Sequence, residues 1–234
     1  MQNTEASFEE RVDEVNQYFF FMASINQIDT HRKISSSESD SLRSLVNRDV
    51  QKITRSQCFL MLYNLVEATL RLGIQCILDA INDEKITFYQ LTVKYQSLYL
   101  LGISSKYSEQ SNKKNIASAL RQLLEDTNNN TIKFLDEISN SSGNVDFRFM
   151  EEQKKLFGII SKKALSDTEN LKKGMLKIKR ERNLLAHGNK SFKKAAEMLT
   201  FGELIAYKDL IIEYLKIYIE SVDSFTSNKG FLRR

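Results

Sequence analysis

The chain has 234 residues, 41% of them hydrophobic and 27% charged, with no proline, eight glycines, two cysteines and a formal net charge of +4. This is enough apolar material for one sizeable core, or a core with an elaboration. The lack of proline favours long helices over a sheet with tight turns, and two cysteines exclude a disulfide framework, so we predict an all-α protein.

Four segments have the capping-box pattern, Ser or Thr followed three residues later by Glu or Gln, that marks the first turn of a helix. Hydrophobic periodicity and these boxes together predict helices over residues 7–27, 47–82, 87–102, 115–126, 147–157, 166–187 and 200–225. Polar stretches predict loops over residues 29–44, 103–115 and 139–144.

These helices predict a bundle with an additional part. Residues 1–83 would supply the N-terminal helices, and residues 166–226 the two helices that complete the bundle. Residues 84–165 would be a helical insertion or elaboration, and residues 227–234 a frayed basic tail.

The localisation follows from two expected absences. No apolar run approaches the roughly 18–20 residues that a bilayer span needs. The N-terminus lacks the basic and then apolar order of a signal peptide. We therefore expect a cytoplasmic protein that does not contact a membrane.

The most informative segment is Arg182-Asn183-Leu184-Leu185-Ala186-His187, which places one of the two histidines near an arginine and is followed by Gly188. Histidine is the side chain best suited to moving protons near neutral pH. Arginine binds phosphate through two parallel hydrogen bonds. Residues 170–194 around this segment hold nine bases against Glu181 alone, which favours an anionic ligand and first of all nucleic acid.

A plain structural interpretation of the segment stands beside the functional one. His187 at a helix end would interact favourably with the helix dipole, and Arg182 could belong to a solvated basic face. Positions five apart lie about 140° apart on a helix, so Arg182 and His187 do not share a stripe, whereas Asn183 and His187 do. Their convergence needs the length of the arginine, fraying near Gly188, or a second copy of the site.

A second copy would also answer a chemical need. Metal-free RNA cleavage requires a base for the 2′-hydroxyl proton and an acid for the leaving 5′-oxygen. One histidine with an ordinary pKa of about 6.5 performs one role at a time. The other histidine, His31, lies far away in a serine-rich segment. A symmetric dimer would bring two copies of His187 and Arg182 into one cleft, where arginine would stabilise the doubly charged phosphorane.

The segment Arg182 to Gly188 resembles the signature of the HEPN superfamily, small helical domains in which Arg, four to six residues and His mark the ribonuclease members. Residues 143–146, 62–69 and 190–192 are similar to the stand-alone bacterial HEPN proteins found among toxin–antitoxin and phage-defence genes. The resemblance covers the long second helix and most of residues 143–220. It implies a HEPN-like helical bundle whose active site forms on dimerisation.

The resemblance implies that Arg182 and His187 are catalytic and that the polar residue after the arginine supports them. Beside these three, Arg182, Asn183 and His187, we predict substrate contacts by Arg180, Lys179, Asn189 and Lys190, and a supporting role for Glu67. Glu67 is either a buried partner that orients Arg182 or a plain surface residue. Tyr63, Tyr95 and Tyr99 could stack on bases, but tyrosines at helical spacing are more often packing residues, so we leave all three out of the site.

We therefore predict a homodimeric endoribonuclease that cleaves RNA by 2′-hydroxyl attack, a toxin or defence effector with an antitoxin or defence-system partner. The sequence has no zinc-ligand spacing and no Walker or Rossmann glycines, so we expect neither metal nor cofactor. The alternative is a non-catalytic HEPN module that binds nucleic acid or nucleotide, or joins a defence complex. Loss of function in a His187 variant with intact binding would separate the two.

Overall fold

A computed structural model describes residues 2–30, 48–108, 117, 120–121, 123–125, 127–128, 131–134 and 144–233. The helices with defined bounds are α1 (Gln2–Thr30), α2 (Arg48–Asp83), α3 (Val93–Ser108), α4 (Phe147–Phe157), α5 (Thr168–Ala186), α6 (Phe192–Ala195) and α7 (Phe201–Ser227), with 3-10 turns at Phe88–Gln90 and Ala196–Met198. The described residues between 117 and 128 are also helical, within the helix predicted there or up to two residues beyond it. In this part of the chain, β pairing is confined to two isolated bridges, Thr87 to Thr131 and Leu91 to Leu232. The all-α prediction is confirmed.

Helix α2 is the centre of the bundle, because its apolar residues cover more than one face. It packs against α1, α5, α6 and α7. Its apolar residues spaced three or four apart form a buried stripe, which includes Phe59, Leu62, Val66, Leu70, Ile74 and Ile81. None of the described helices is long and apolar enough to cross a membrane.

The capping boxes predicted helix starts with mixed success. The box from Thr200 to Glu203 forms and opens α7. The box at Thr87 also forms, but it caps only the 3-10 turn Phe88–Gln90. Helix α3 begins at Val93 and continues to Ser108, so the loop predicted from residue 103 was wrong for residues 103–108.

Two other boxes do not form. Ser7 lies inside α1, which begins at Gln2, because the residues before it continue the helix. The cap of α5 is Asp167, whose side chain accepts a hydrogen bond from the Asn170 backbone N–H. The hydroxyl of Ser166 donates instead to Glu213 of α7.

Two helical glycines let α7 approach its neighbours closely. A Cβ on Gly73 of α2 would lie 2.5 Å from the Tyr218 hydroxyl, and one on Gly174 of α5 would lie 2.5 Å from the ring of Tyr207. Each glycine therefore provides the space for a tyrosine of α7. These contacts fix α5, the helix with the Arg–His segment, against the core.

The residues after α7 are packed, so the prediction of a frayed tail was wrong for residues 228–233. Phe231 is buried against Tyr95 and Phe225. The Thr92 N–H donates to the Phe231 carbonyl, and the Arg233 N–H donates to the Gln90 carbonyl.

The division of the chain into a bundle and an 84–165 insertion stays a prediction. His31, Gly143 and most of the predicted loops at 29–44 and 139–144 lie outside the described residues.

Candidate functional site

The Arg–His segment forms the C-terminal end of α5, as the sequence predicted. His187 is the residue that ends the helix, and its backbone N–H donates to the Asn183 carbonyl at 3.1 Å. Gly188 follows with a φ of 70°, in the left-handed region that glycine adopts without strain. Asn183 and His187 therefore lie on one side of the helix end, one turn apart.

Arg182 is held in a fixed plane on the other side. Its guanidinium carbon lies 4.3 Å from the centre of the Tyr63 ring of α2, close enough for a cation–π interaction. Its Nη1 donates to the Asn183 side-chain oxygen at 3.0 Å. One face of the guanidinium is thus covered by a ring, while a neighbouring amide fixes its rotation. This is the geometry of an arginine prepared to bind an anion.

Residues 144–146, directly before α4, contact this arrangement in three places. The Asn183 side-chain nitrogen donates to the Asn144 side-chain oxygen at 3.4 Å. The Val145 N–H donates to the Tyr63 hydroxyl at 3.1 Å. Asp146 forms an ion pair with Lys179 of α5 and also caps α4. We refer to residues 144–146 as the strap, because they connect α4 to the Arg182 environment.

The protonation states of the strap contacts follow from their surroundings. Burial raises the pKa of Tyr63 above its ordinary value of 10, so this hydroxyl does not act as a proton donor by ionising near neutral pH. Burial opposes ionisation of Asp146, but hydrogen bonds from Lys179 and the Phe149 N–H outweigh it and lower the pKa of Asp146. Asp146 is therefore a carboxylate at neutral pH.

The His187 side chain is exposed at the end of this arrangement. Within the described residues, its imidazole has no hydrogen bond or ion pair, with Arg182 or with any other group. This agrees with the roughly 140° between positions five apart on a helix. The imidazole is free to act as an acid or a base, and it is the one histidine among the residues that the structure describes.

The four residues predicted to bind substrate have different environments. Arg180 and Asn189 are exposed beside the site. Lys179 is paired with Asp146, as described above. The ammonium of Lys190 lies 2.7 Å from Glu181, whose side chain is only 2% exposed. The two lysines therefore have structural partners, and their contact with a substrate stays a prediction.

Glu67 does not orient Arg182 in this structure. Its carboxylate is half-buried and lies 3.5 Å from Arg71, one turn further along α2. Tyr63, one turn before Glu67, occupies the place that we considered for the acid. Glu67 is near enough to the Tyr63 hydroxyl to affect its pKa, so a supporting role through Tyr63 stays a prediction.

We left Tyr63 out of the site because of its spacing, and assigned no role there to Asn144 or Asp146. Tyr63 lies on an apolar stripe and is buried, so its pattern is that of core packing; its contact with Arg182 joins residues far apart in the sequence. Asp146, at the cap position of α4, had a visible local signal, which we did not use. In the described residues, no group of three or more His, Cys, Asp or Glu side chains could hold a metal ion.

A family model described as HEPN_MAE_28990-like HEPN matches residues 1–231. No curated protein and no solved structure matches the chain. The match spans the Arg–His segment. It also spans residues 84–140, where the sequence motifs showed no resemblance to the HEPN superfamily.

Proposed function

Because the chain belongs to the HEPN_MAE_28990-like HEPN family, we propose that it is a metal-independent endoribonuclease whose site lies at the C-terminal end of α5. Family membership supports a nuclease or a nucleotide-binding module. The observation that favours the nuclease is the exposed His187 imidazole, without a partner in the described residues, beside an arginine held by Tyr63 and Asn183. A proton-transfer group and a phosphate-binding group thus occupy one helix end.

The proposed reaction is a transesterification. A histidine accepts the proton of the 2′-hydroxyl, the 2′-oxygen attacks phosphorus, and the bond from phosphorus to the 5′-oxygen breaks. A second group donates a proton to the leaving 5′-oxygen. The products are a 2′,3′-cyclic phosphate and a 5′-hydroxyl. The guanidinium of Arg182 stabilises the extra negative charge that develops on the phosphoryl oxygens, and Asn183 keeps this guanidinium in position.

Two copies of the chain complete the site in this proposal. Within the described residues one chain provides one histidine, His187, which has no hydrogen bond to its own Arg182. A two-fold dimer would place His187 of each copy within reach of the same phosphate, one as base and one as acid. The physiological role would be that of a toxin or defence effector kept in check by a partner protein.

The second candidate function is a non-catalytic module that binds nucleic acid or nucleotide. The separation of His187 from Arg182 favours it, because a binding site needs the arginine and not the histidine. The two functions differ in what His187→Gln does. A binding module keeps its affinity and has no activity to lose, whereas a nuclease keeps its affinity and loses cleavage.

The test is cleavage of total RNA by the purified protein in EDTA, with His187→Gln and Arg182→Ala beside the unmodified chain. We expect cyclic-phosphate ends from the unmodified chain only, and a loss of about 100-fold or more in each variant. Lys193→Gln is the control, because Lys193 pairs with Asp49 outside the site. Equal cleavage by His187→Gln would place the active site elsewhere. RNA binding without cleavage by the unmodified chain would favour the binding module.

A further inference from the structure

Ion pairing divides the basic block of residues 170–194 into two groups. Four of its nine bases are paired with acids, namely Lys172, Lys179, Lys190 and Lys193. Of the other five, Arg182 lies over the Tyr63 ring and Lys194 belongs to α6. The remaining three lie along α5 and have no ion pair in the described part of the chain: Lys173, Lys177 and Arg180. We call these three the α5 basic stripe.

The α5 basic stripe is a continuous solvent-facing row. At 100° per residue its members lie within about 60° of one another around the helix, and His187 lies about 20° beyond Arg180. Lys173 and Arg180 are exposed and Lys177 is half-buried. Along the axis, Lys173 to Arg180 spans about 10 Å, and His187 lies about 10 Å further on. The row therefore leads directly to the candidate acid or base.

The charge pattern of the stripe differs from that of an ordinary solvated helix face. Such faces usually carry acids three or four residues from their bases. The positions three and four residues from Arg180 carry no acid, and Glu181, four residues after Lys177, is buried and paired with Lys190. Glu169, four residues before Lys173, is paired with Lys172. Within the stripe, the member nearest His187, Arg180, is thus the least compensated.

Acids limit the stripe at its far end and on one side. Asp167 and Glu169 lie near Lys173, and Glu203 lies near Lys177. A second copy of this chain is a poor occupant, because a two-fold contact would place the same cations opposite one another. A polyanion that starts at Lys173 and ends at His187 fits the distribution of charge.

We propose that the α5 basic stripe binds the sugar–phosphate backbone of a single RNA strand and leads it to His187. The proposal rests in part on the proposed nuclease function, since it uses the same site. A stripe one helix wide contacts one strand, whereas proteins that bind duplex RNA contact successive grooves. Three cations in line can neutralise consecutive phosphates, which makes the affinity depend on salt.

The experiment measures binding without cleavage, in a His187→Ala background, to a labelled single-stranded RNA 12-mer of mixed sequence. The test variant is Lys173→Gln/Lys177→Gln/Arg180→Gln. The control variant is Lys163→Gln/Lys172→Gln/Lys193→Gln, which removes the same charge from three lysines that have ion pairs. Thermal unfolding of both variants verifies that these surface changes leave the fold intact.

We expect the stripe variant to lose at least 10-fold in affinity at low salt, and the slope of log affinity against log salt to fall by about 2, since each phosphate contact on a single strand contributes about 0.7. The control variant should lose less than about 3-fold. Equal losses of affinity in both variants would show that only the net charge of the protein matters, and would overturn the proposal. A duplex RNA that binds as tightly as the single strand would overturn the assignment to one strand.

Failure of this inference and failure of the proposed function give different results. If the unmodified chain binds RNA through the stripe but does not cleave it, the nuclease proposal fails and the stripe stands. If it cleaves RNA and the stripe variant with His187 intact keeps the same KM, the stripe proposal fails and the nuclease stands. The expected result is a raised KM with little change in kcat, as for a group that contributes uniform binding.

Discussion

The guanidinium of Arg182 lies over the ring of Tyr63, which in turn accepts a hydrogen bond from the Val145 N–H. The orientation of the arginine therefore depends on α2 and on the strap as well as on its own helix. Asn144 and Asp146 at either side of Val145 contact α5 directly. The site is thus built from three parts of the chain that are distant in sequence.

Tyr63→Leu should reduce RNA cleavage about 10-fold, while Tyr63→Phe should retain most of it. Both changes leave the Val145 N–H without its acceptor, which costs about 1–3 kcal/mol of unfolding free energy. Only the leucine removes the ring beneath Arg182, an interaction of about 0.5–2 kcal/mol. Steady-state kinetics with unfolding curves separate the two effects. Equal losses of activity in both variants would contradict a positioning role for the ring.

Lys190→Met should destabilise the protein by about 3–5 kcal/mol, because it leaves the buried carboxylate of Glu181 without a partner. The double variant Glu181→Leu/Lys190→Met should recover most of that stability, since it removes both charges. Urea unfolding measures both effects. If the double variant is stable but binds RNA much more weakly, Lys190 contacts substrate, as the sequence analysis predicted.

Asp146→Asn should lower the unfolding free energy at pH 7 by about 1–3 kcal/mol, because the charged hydrogen bond with Lys179 is weakened. Asparagine still caps α4, so the helix start is preserved.

The effect of Asp146→Asn should depend on pH. Since the pKa of Asp146 is lowered in the folded protein, the unfolded chain binds more protons between the folded pKa and the ordinary value of about 3.9. The stabilisation by Asp146 is complete above the unfolded value and is lost as the pH falls through the folded one. The unfolding free energies of the unmodified protein and of Asp146→Asn should therefore differ at pH 7 and converge at low pH. A difference that is independent of pH would contradict the ion pair.

Gly174→Ala should destabilise the protein, although alanine forms helices more readily than glycine. The new methyl group would lie 2.5 Å from the Tyr207 ring, so the ring or the helix must move. We expect a loss of about 1–3 kcal/mol, as for other overpacked sites. The double variant Gly174→Ala/Tyr207→Ala relieves the clash and serves as the control. Greater stability of the single variant would show that the ring moves without cost.

Local patterns in the sequence predicted most of the helices. The stripe of α2, the bounds of α4 and the end of α5 at His187 and Gly188 all depend on neighbours within one or two turns, which spacing reveals. The errors arose where several local signals compete. Ser7 could cap a helix, but the residues before it are also helical, and the box at Thr87 opens only a 3-10 turn.

The site was predictable only in its sequence-local part. Arg182, Asn183 and His187 lie within five positions at the end of α5, so their type and spacing were enough to propose them as site residues. The partners of Arg182, Lys179 and Lys190 are set by tertiary packing. Short spacing cannot predict that Tyr63 lies beneath an arginine, nor that Glu181 is buried and available to a lysine nine residues later.

The two tyrosines of α7 that fit against Gly73 and Gly174 also restrict how the site could be regulated. Sliding α5 or α2 along α7 would require a ring to pass over backbone that offers no space for it. Helix shifts, a common allosteric movement, are therefore unfavourable here. The strap is different, because it is joined to the surroundings of Arg182 by two hydrogen bonds, Val145 to Tyr63 and Asn183 to Asn144, which can break while the helices stay in place.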